Sequence, residues 1–109
     1  MISSLKSQKK IETIFEKGFV IKEKGLLLKA YDFKDDETKF GVSVSKKKFP
    51  TAVKRNLIKR RLRACVRKST MLAGIPKGVC FFLIYTSNSV INTDMIFKAT
   101  EALLKKLTS

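Results

Sequence analysis

The chain has 109 residues, the size of one domain, and 44% of them are apolar, enough for one modest core. Its 24 Lys and Arg stand against 9 Asp and Glu, a formal charge of +15 that far exceeds what solubility requires and points to a polyanionic partner. No run approaches the roughly 18 apolar residues of a membrane-spanning helix, and Met1 to Lys10 leads into charged amphipathic sequence rather than the apolar stretch of a signal peptide, so the expectation is a soluble, cytoplasmic protein without a membrane.

In chain order, Ser7 stands where it would cap a short helix with Ile11, Ile14 and Phe15 on one stripe and Gly18 as its stop. Phe19 to Glu23 reads as a strand, Lys24-Gly25 as a turn, and Leu26 to Phe33 as a longer strand. The acidic cluster Asp35-Asp36-Glu37 is expected to be a solvated loop. In Lys39 to Ser45, Phe40, Val42 and Val44 alternate with Gly41, Ser43 and Ser45, giving a strand with one buried face and one small, hydroxyl-rich face that a backbone or phosphate could approach. After Pro50, Thr51 is the expected cap of a long helix running to about Ala73, with Gly74 as its stop. On that helix Ile58, Leu62, Cys65, Val66, Ser69 and Leu72 fall on one face, while Asn56, Arg60, Arg63 and Arg67 fall on roughly the opposite one. Gly78 to Tyr85 is a continuous apolar run, as in a strand covered on both faces. Asn88 to Asn92 reads as a loop, and Thr93 as the cap of a final helix that carries Ile96, Phe97, Leu103, Leu104 and Leu107 inward. The order is αβββαβα in a single domain spanning residues 1–109. Cys65 and Cys80 lack C-x-x-C spacing and the chain has no His, so both read as buried free thiols rather than zinc ligands.

From Lys46 to Lys68 there are eleven cations and no acid, and no Asp or Glu occurs anywhere from Phe40 to Thr93. A solvated helix would intersperse Glu with Lys to avoid self-repulsion. All five arginines, Arg55, Arg60, Arg61, Arg63 and Arg67, lie in this segment, where their planar forks suit phosphate and base stacking. The pattern favours nucleic acid over a merely solvated face.

The run Gly41-Val42-Ser43-Val44-Ser45-Lys46-Lys47-Lys48, followed by Ala52-Val53-Lys54-Arg55-Asn56-Leu57-Ile58-Lys59-Arg60-Arg61-Leu62-Arg63, resembles the signature of the bacterial ribonuclease P protein family. That signature is a Ser-x-Ser-Lys-Lys strand end and an Ala-Val-x-Arg-Asn-Arg-x-Lys-Arg-x-x-Arg helix. Leu57 stands where the pattern has its second arginine, and Phe49-Pro50-Thr51 replaces the usual entry to the helix.

The resemblance implies an α+β fold with a four-stranded sheet and a left-handed βαβ crossover, contrary to the general right-handed rule. It implies that Lys46, Lys47, Lys48, Lys54, Arg55, Asn56, Lys59, Arg60, Arg63 and Arg67 bind RNA, the partner being the catalytic ribonuclease P RNA. It further implies a cleft between the first helix and the sheet for the 5′ leader of precursor tRNA, to which Lys9, Lys10, Phe15, Lys29, Tyr31, Ser43 and Ser45 are assigned. Tyr31 and Lys29 are both candidates for the cleft tyrosine of the family. Hydrolysis would belong to the RNA subunit and to Mg²⁺ held mainly by it. The inventory agrees that the protein alone is not a nuclease, since there is no His general base and the only acidic cluster is three consecutive loop residues. The alternative, a noncatalytic ribosomal-protein-like or other basic RNA-binding module, shares the charge but does not require the full motif.

Overall fold

The computed structural model describes residues 3–23, 25–89 and 92–108. A two-residue strand, β1 (Ser3–Ser4), precedes helix α1 (Gln8–Lys17), and three strands follow: β2 (Phe19–Glu23), β3 (Leu26–Asp32) and β4 (Lys39–Val44). The basic helix α2 (Ala52–Lys68), strand β5 (Val79–Tyr85) and helix α3 (Thr93–Thr108) complete the αβββαβα order. β1 is too short for any alternation to announce it. It lies parallel to Lys39–Phe40 of β4, where the Leu5 N–H donates to the Phe40 carbonyl at 2.8 Å. The sheet order is β1-β4-β5-β3-β2, so a fifth, minimal strand joins the four read from the sequence.

β5 sits at the centre, antiparallel to β3 and parallel to β4, and its apolar run is buried as expected except at half-exposed Ile84. Because β4 and β5 are parallel neighbours, the chain must cross over between them, and α2 is that crossover. One sheet face, carrying Leu26, Leu28, Phe40, Phe81, Leu83 and Tyr85, packs against Ile58, Leu62, Cys65 and Val66 of α2 and Ile96, Leu103 and Leu104 of α3. The other face is covered in part by α1, where Leu5 and Ile14 close over Cys80 and Phe82 with Ile11, Tyr31 and Phe33 packed around them. Both cysteines are free and buried, and that burial pushes their thiols up from the ordinary range.

Local side-chain bonds fix three helix boundaries, two of them away from where the sequence placed them. Ser7 caps α1 as expected, its hydroxyl accepting the Lys10 N–H at 3.4 Å. α2 stops at Lys68 rather than near Ala73, because Ser69 turns to extended backbone and its hydroxyl accepts the Met71 N–H at 3.1 Å; a single tight turn over Leu72–Gly74 follows. Thr93 is already helical, and the cap of α3 is Asn92, whose side-chain oxygen accepts the Met95 N–H at 2.9 Å. Lys24 of the expected turn and residues 90–91 of the expected loop lie outside the described residues.

Candidate nucleic-acid interface

With Ile58, Leu62, Cys65 and Val66 held by the core, the 3.6-residue period turns Asn56, Arg60, Arg63 and Arg67 outward together. They line one open groove of about 590 Å³ with Ala64. Its far end is anchored where the Arg67 guanidinium lies 5.8 Å from the centre of the Phe40 ring. Among the described residues the ion pairs involve Lys10, Lys39 and Lys106, and none involves the eleven cations from Lys46 to Lys68. Charge on this face is therefore uncompensated among the described residues. Beside the groove, Val53 and Leu57 put exposed apolar surface next to Asn56 and Arg60.

Two of the assigned cations are spent on structure. Arg55 turns back, its Nη1 donating to the carbonyls of Phe49 and Pro50 at 2.8 Å each, which holds the entry to α2 in place of the Thr51 hydroxyl, which makes no capping bond. Lys48 Nζ donates to the Thr86 carbonyl at 2.7 Å, tying the loop after β4 to the end of β5. Ser45 is spent too: its hydroxyl accepts the N–H groups of Lys47 and Lys48 at 3.2 and 3.3 Å and shapes the turn that leaves β4. Lys46, Lys47 and Lys54 remain exposed, and Lys59 is half-exposed.

On the α1 side of the sheet, strand register places Val20, Lys29, Phe82 and Gly41 in one row and Lys22, Leu27, Ile84 and Ser43 in the next. The open space expected at Gly41 is already filled. A Cβ there would lie 2.5 to 2.9 Å from three atoms of the Phe82 ring, so Phe82 lies flat across β4. Phe15 of α1 leans on that ring at 5.2 Å between centroids, remains 38% exposed, and has the Lys29 ammonium 5.2 Å from its own centre. Phe15, Lys29 and half-exposed Ser43 thus form one surface, continued by Lys22, Leu27 and Ile84.

The family model described as Ribonuclease P matches residues 2–108 of this chain. This chain belongs to the ribonuclease P protein family. It is 31% identical over 80 residues to the ribonuclease P protein component of Psychrobacter sp. (strain PRwf-1), an alignment covering 73% of this chain but only 60% of that protein. The RNase P protein from Thermotoga maritima superposes with a TM-score of 0.79 at 21% identity, over 94% of this chain and 96% of that one. That of Staphylococcus aureus gives 0.78 at 25% identity, over 97% and 94%.

Within this ribonuclease P family chain the remaining assigned residues fall elsewhere. Lys9, Lys10 and Tyr31 lie on the flank of α1 away from Phe15, around a separate pocket. Lys10 is not a free cation: its ammonium donates to Asp35 at 2.7 Å, which raises its pKa, while the Asp35 carboxyl is held below the usual carboxylate range by that same bond, helped by the Glu37 N–H. Glu37 pairs with Lys39 at 3.2 Å. The acidic loop is exposed, as read, and through Asp35 and Glu37 it also clasps α1 to the β3–β4 connection. Among the described residues no three acidic, Cys or His side chains converge, and Asp35 and Glu37 already face ammonium groups, so this donor set does not fit a protein-held Mg²⁺. No helix of the described residues is long and apolar enough to cross a membrane.

Sequence reading missed Lys22, Leu27 and Ile84. Their signal was present as the outward positions of the strand alternation, but Ile84 was hidden in a continuous apolar run and Leu27 in a run of three leucines.

Proposed function

We propose that this chain is the protein subunit of ribonuclease P, acting in the cytoplasm to support endonucleolytic removal of the 5′ leader from precursor tRNA. The observation that carries the reading is the groove of Asn56, Arg60, Arg63 and Arg67, a set of forked donors with no carboxylate partner among the described residues, on a chain of this family. That face binds the RNA subunit, with Lys46, Lys47, Lys54 and Lys59 adding phosphate contacts around it. Arg55 and Lys48 act by fixing the loop that aims the helix.

The Phe15, Lys29 and Ser43 surface takes the single-stranded leader. A base stacking on Phe15 would displace the Lys29 ammonium, which then meets the adjoining phosphate, and such stacking tolerates any base. Hydrolysis belongs to the RNA subunit with Mg²⁺ held mainly there.

The test is cleavage of precursor tRNA at low Mg²⁺ by the cognate RNA subunit, with and without this chain. The chain alone should cleave nothing, and its addition should raise cleavage of leader-bearing substrate. Cleavage by RNA-free protein, or no effect on the RNA subunit, would overturn the proposal.

A further inference from the structure

Helix α1 divides its face of the sheet. With Ile14 buried beneath it, about 100° per residue puts Phe15 on one flank and Lys10 and Thr13 on the other. The second flank holds an open pocket of about 550 Å³, walled by Lys9, Lys10, Thr13, Tyr31, Phe33 and Lys34, with Asp32 at its rim. That volume lies within the usual range for small-ligand sites.

Three ties fix its walls. The Lys10 and Asp35 bond joins α1 to the loop after β3. The Phe33 N–H donates to the Gly78 carbonyl at 2.9 Å, and Gly78, at φ +91°, lets that loop pass so closely that a Cβ would lie 2.8 Å from the backbone of Asp35. The Asp32 carboxylate accepts the Lys34 N–H at 2.8 Å and holds Lys34 at φ +54°, the one left-handed non-glycine among the described residues. Sparsely populated backbone of this kind concentrates at binding sites, and here it sets a lysine on the rim.

The lining is chemically divided. Tyr31 and Phe33 meet edge to face at 4.8 Å and present aromatic surface, while Lys9 and Lys34 are exposed cations without an ion pair among the described residues. Lys10 is already neutralised by Asp35, and one of its roles is to cover the Phe33 ring, 5.0 Å from its centre. Asp32 offsets one charge, so the pocket as a whole still favours an anion. A flat ring joined to a phosphate satisfies both halves.

We infer that this pocket binds one unpaired nucleotide, its base against Tyr31 and Phe33 and its phosphate toward Lys9 and Lys34. The inference rests on reading the chain as an RNA binder, and not on the leader surface, which uses the opposite flank of α1.

The full chain is titrated with adenosine 5′-monophosphate and, separately, with a short single-stranded oligoadenylate, while NMR follows the rings of Tyr31, Phe33 and Phe15. Both probes should shift Tyr31 and Phe33. The exposed double variant Lys9→Gln with Lys34→Gln should bind about tenfold more weakly, the loss expected for one charge-assisted contact. Affinity for the strand that exceeds the statistical gain of repeated sites identifies an RNA residue as the source, and equal affinity per nucleotide identifies the free nucleotide. Shifts confined to Phe15, or unchanged affinity in the double variant, overturn the assignment. A chain that activates the RNA subunit but leaves Tyr31 and Phe33 unshifted loses the pocket and keeps the proposed function; shifts without activation do the reverse.

Discussion

Replacing Gly41 by Ala tests whether the leader surface is built on the contact between β4 and Phe82. The added methyl would sit 2.5 Å from Cζ, 2.7 Å from Cε1 and 2.9 Å from Cε2 of that ring, all closer than carbon atoms approach without displacement. Phe82 is 8% exposed in the small core under α1, so its ring has to swing toward Phe15, which already touches it. Overpacking of this kind costs about 1 to 3 kcal/mol, and the lower backbone entropy of Ala returns about 0.5 to 1 kcal/mol, leaving a net loss centred on about 1 kcal/mol and at most about 2.5 kcal/mol. For a domain of this size each kcal/mol of that loss lowers the melting temperature by roughly 4 to 8 °C. The assay is a double-mutant cycle in urea with Phe82→Leu, which shortens the offending side chain. If the clash is the cause, Gly41→Ala should cost much less when combined with Phe82→Leu than alone, a coupling of about 1 kcal/mol or more. A neutral or stabilising Gly41→Ala, or effects that simply add, would refute the reasoning and return Gly41 to open space.

Arg55→Ala should destabilise the fold by about 1 kcal/mol through loss of its two carbonyl bonds, whereas Arg63→Ala should leave thermal unfolding unchanged and lower the log-log salt slope of RNA binding by roughly 0.7 to 0.9. Thr100, whose buried hydroxyl has no hydrogen-bond partner among the described residues, should tolerate Val with unchanged or higher stability, by up to about 1 kcal/mol, in chemical denaturation. Because the Asp35 carboxyl is depressed in the fold, its clasp to Lys10 contributes above the unfolded carboxylate value and is lost as pH falls through the lower folded one. Lys10, whose pKa is raised, keeps its contribution below the unfolded lysine value and loses it only as pH rises through the folded one. NMR titration of Asp35 should therefore show a midpoint below 3.8 that returns toward it in Lys10→Gln.

Periodic features were legible in the sequence. The two-sided character of α2 follows from residues three and four apart, and the groove of Asn56, Arg60, Arg63 and Arg67 appears in the structure as the spacing foretold. The buried run of β5 and the alternation of β4 were equally plain. What escaped was set by partners distant in the chain or by choices among local bonds. Nothing near Gly41 reveals that residue 82 will fill its space, and the pattern alone cannot tell that Arg55 faces two loop carbonyls while Arg63 faces solvent. Ser45 and Ser69 each had two uses open to a hydroxyl, and both took the neighbouring backbone. A single cleft was expected around α1, but the helix itself parts Phe15 from Tyr31.

The central place of β5 also orders events during synthesis. β2 and β3 can pair as soon as they are made, because they are adjacent in both sequence and sheet. β4 cannot join them, since the place beside β3 belongs to a strand still unmade and β4 sits on that strand's far side, so it must wait through the whole of α2. Until Val79–Tyr85 arrives, the apolar side of a strongly basic helix and an unpaired strand are exposed together on the nascent chain. The seven residues of β5 are thus a late keystone, and a chain truncated before residue 79 would have a hairpin and loose parts rather than a smaller version of the sheet.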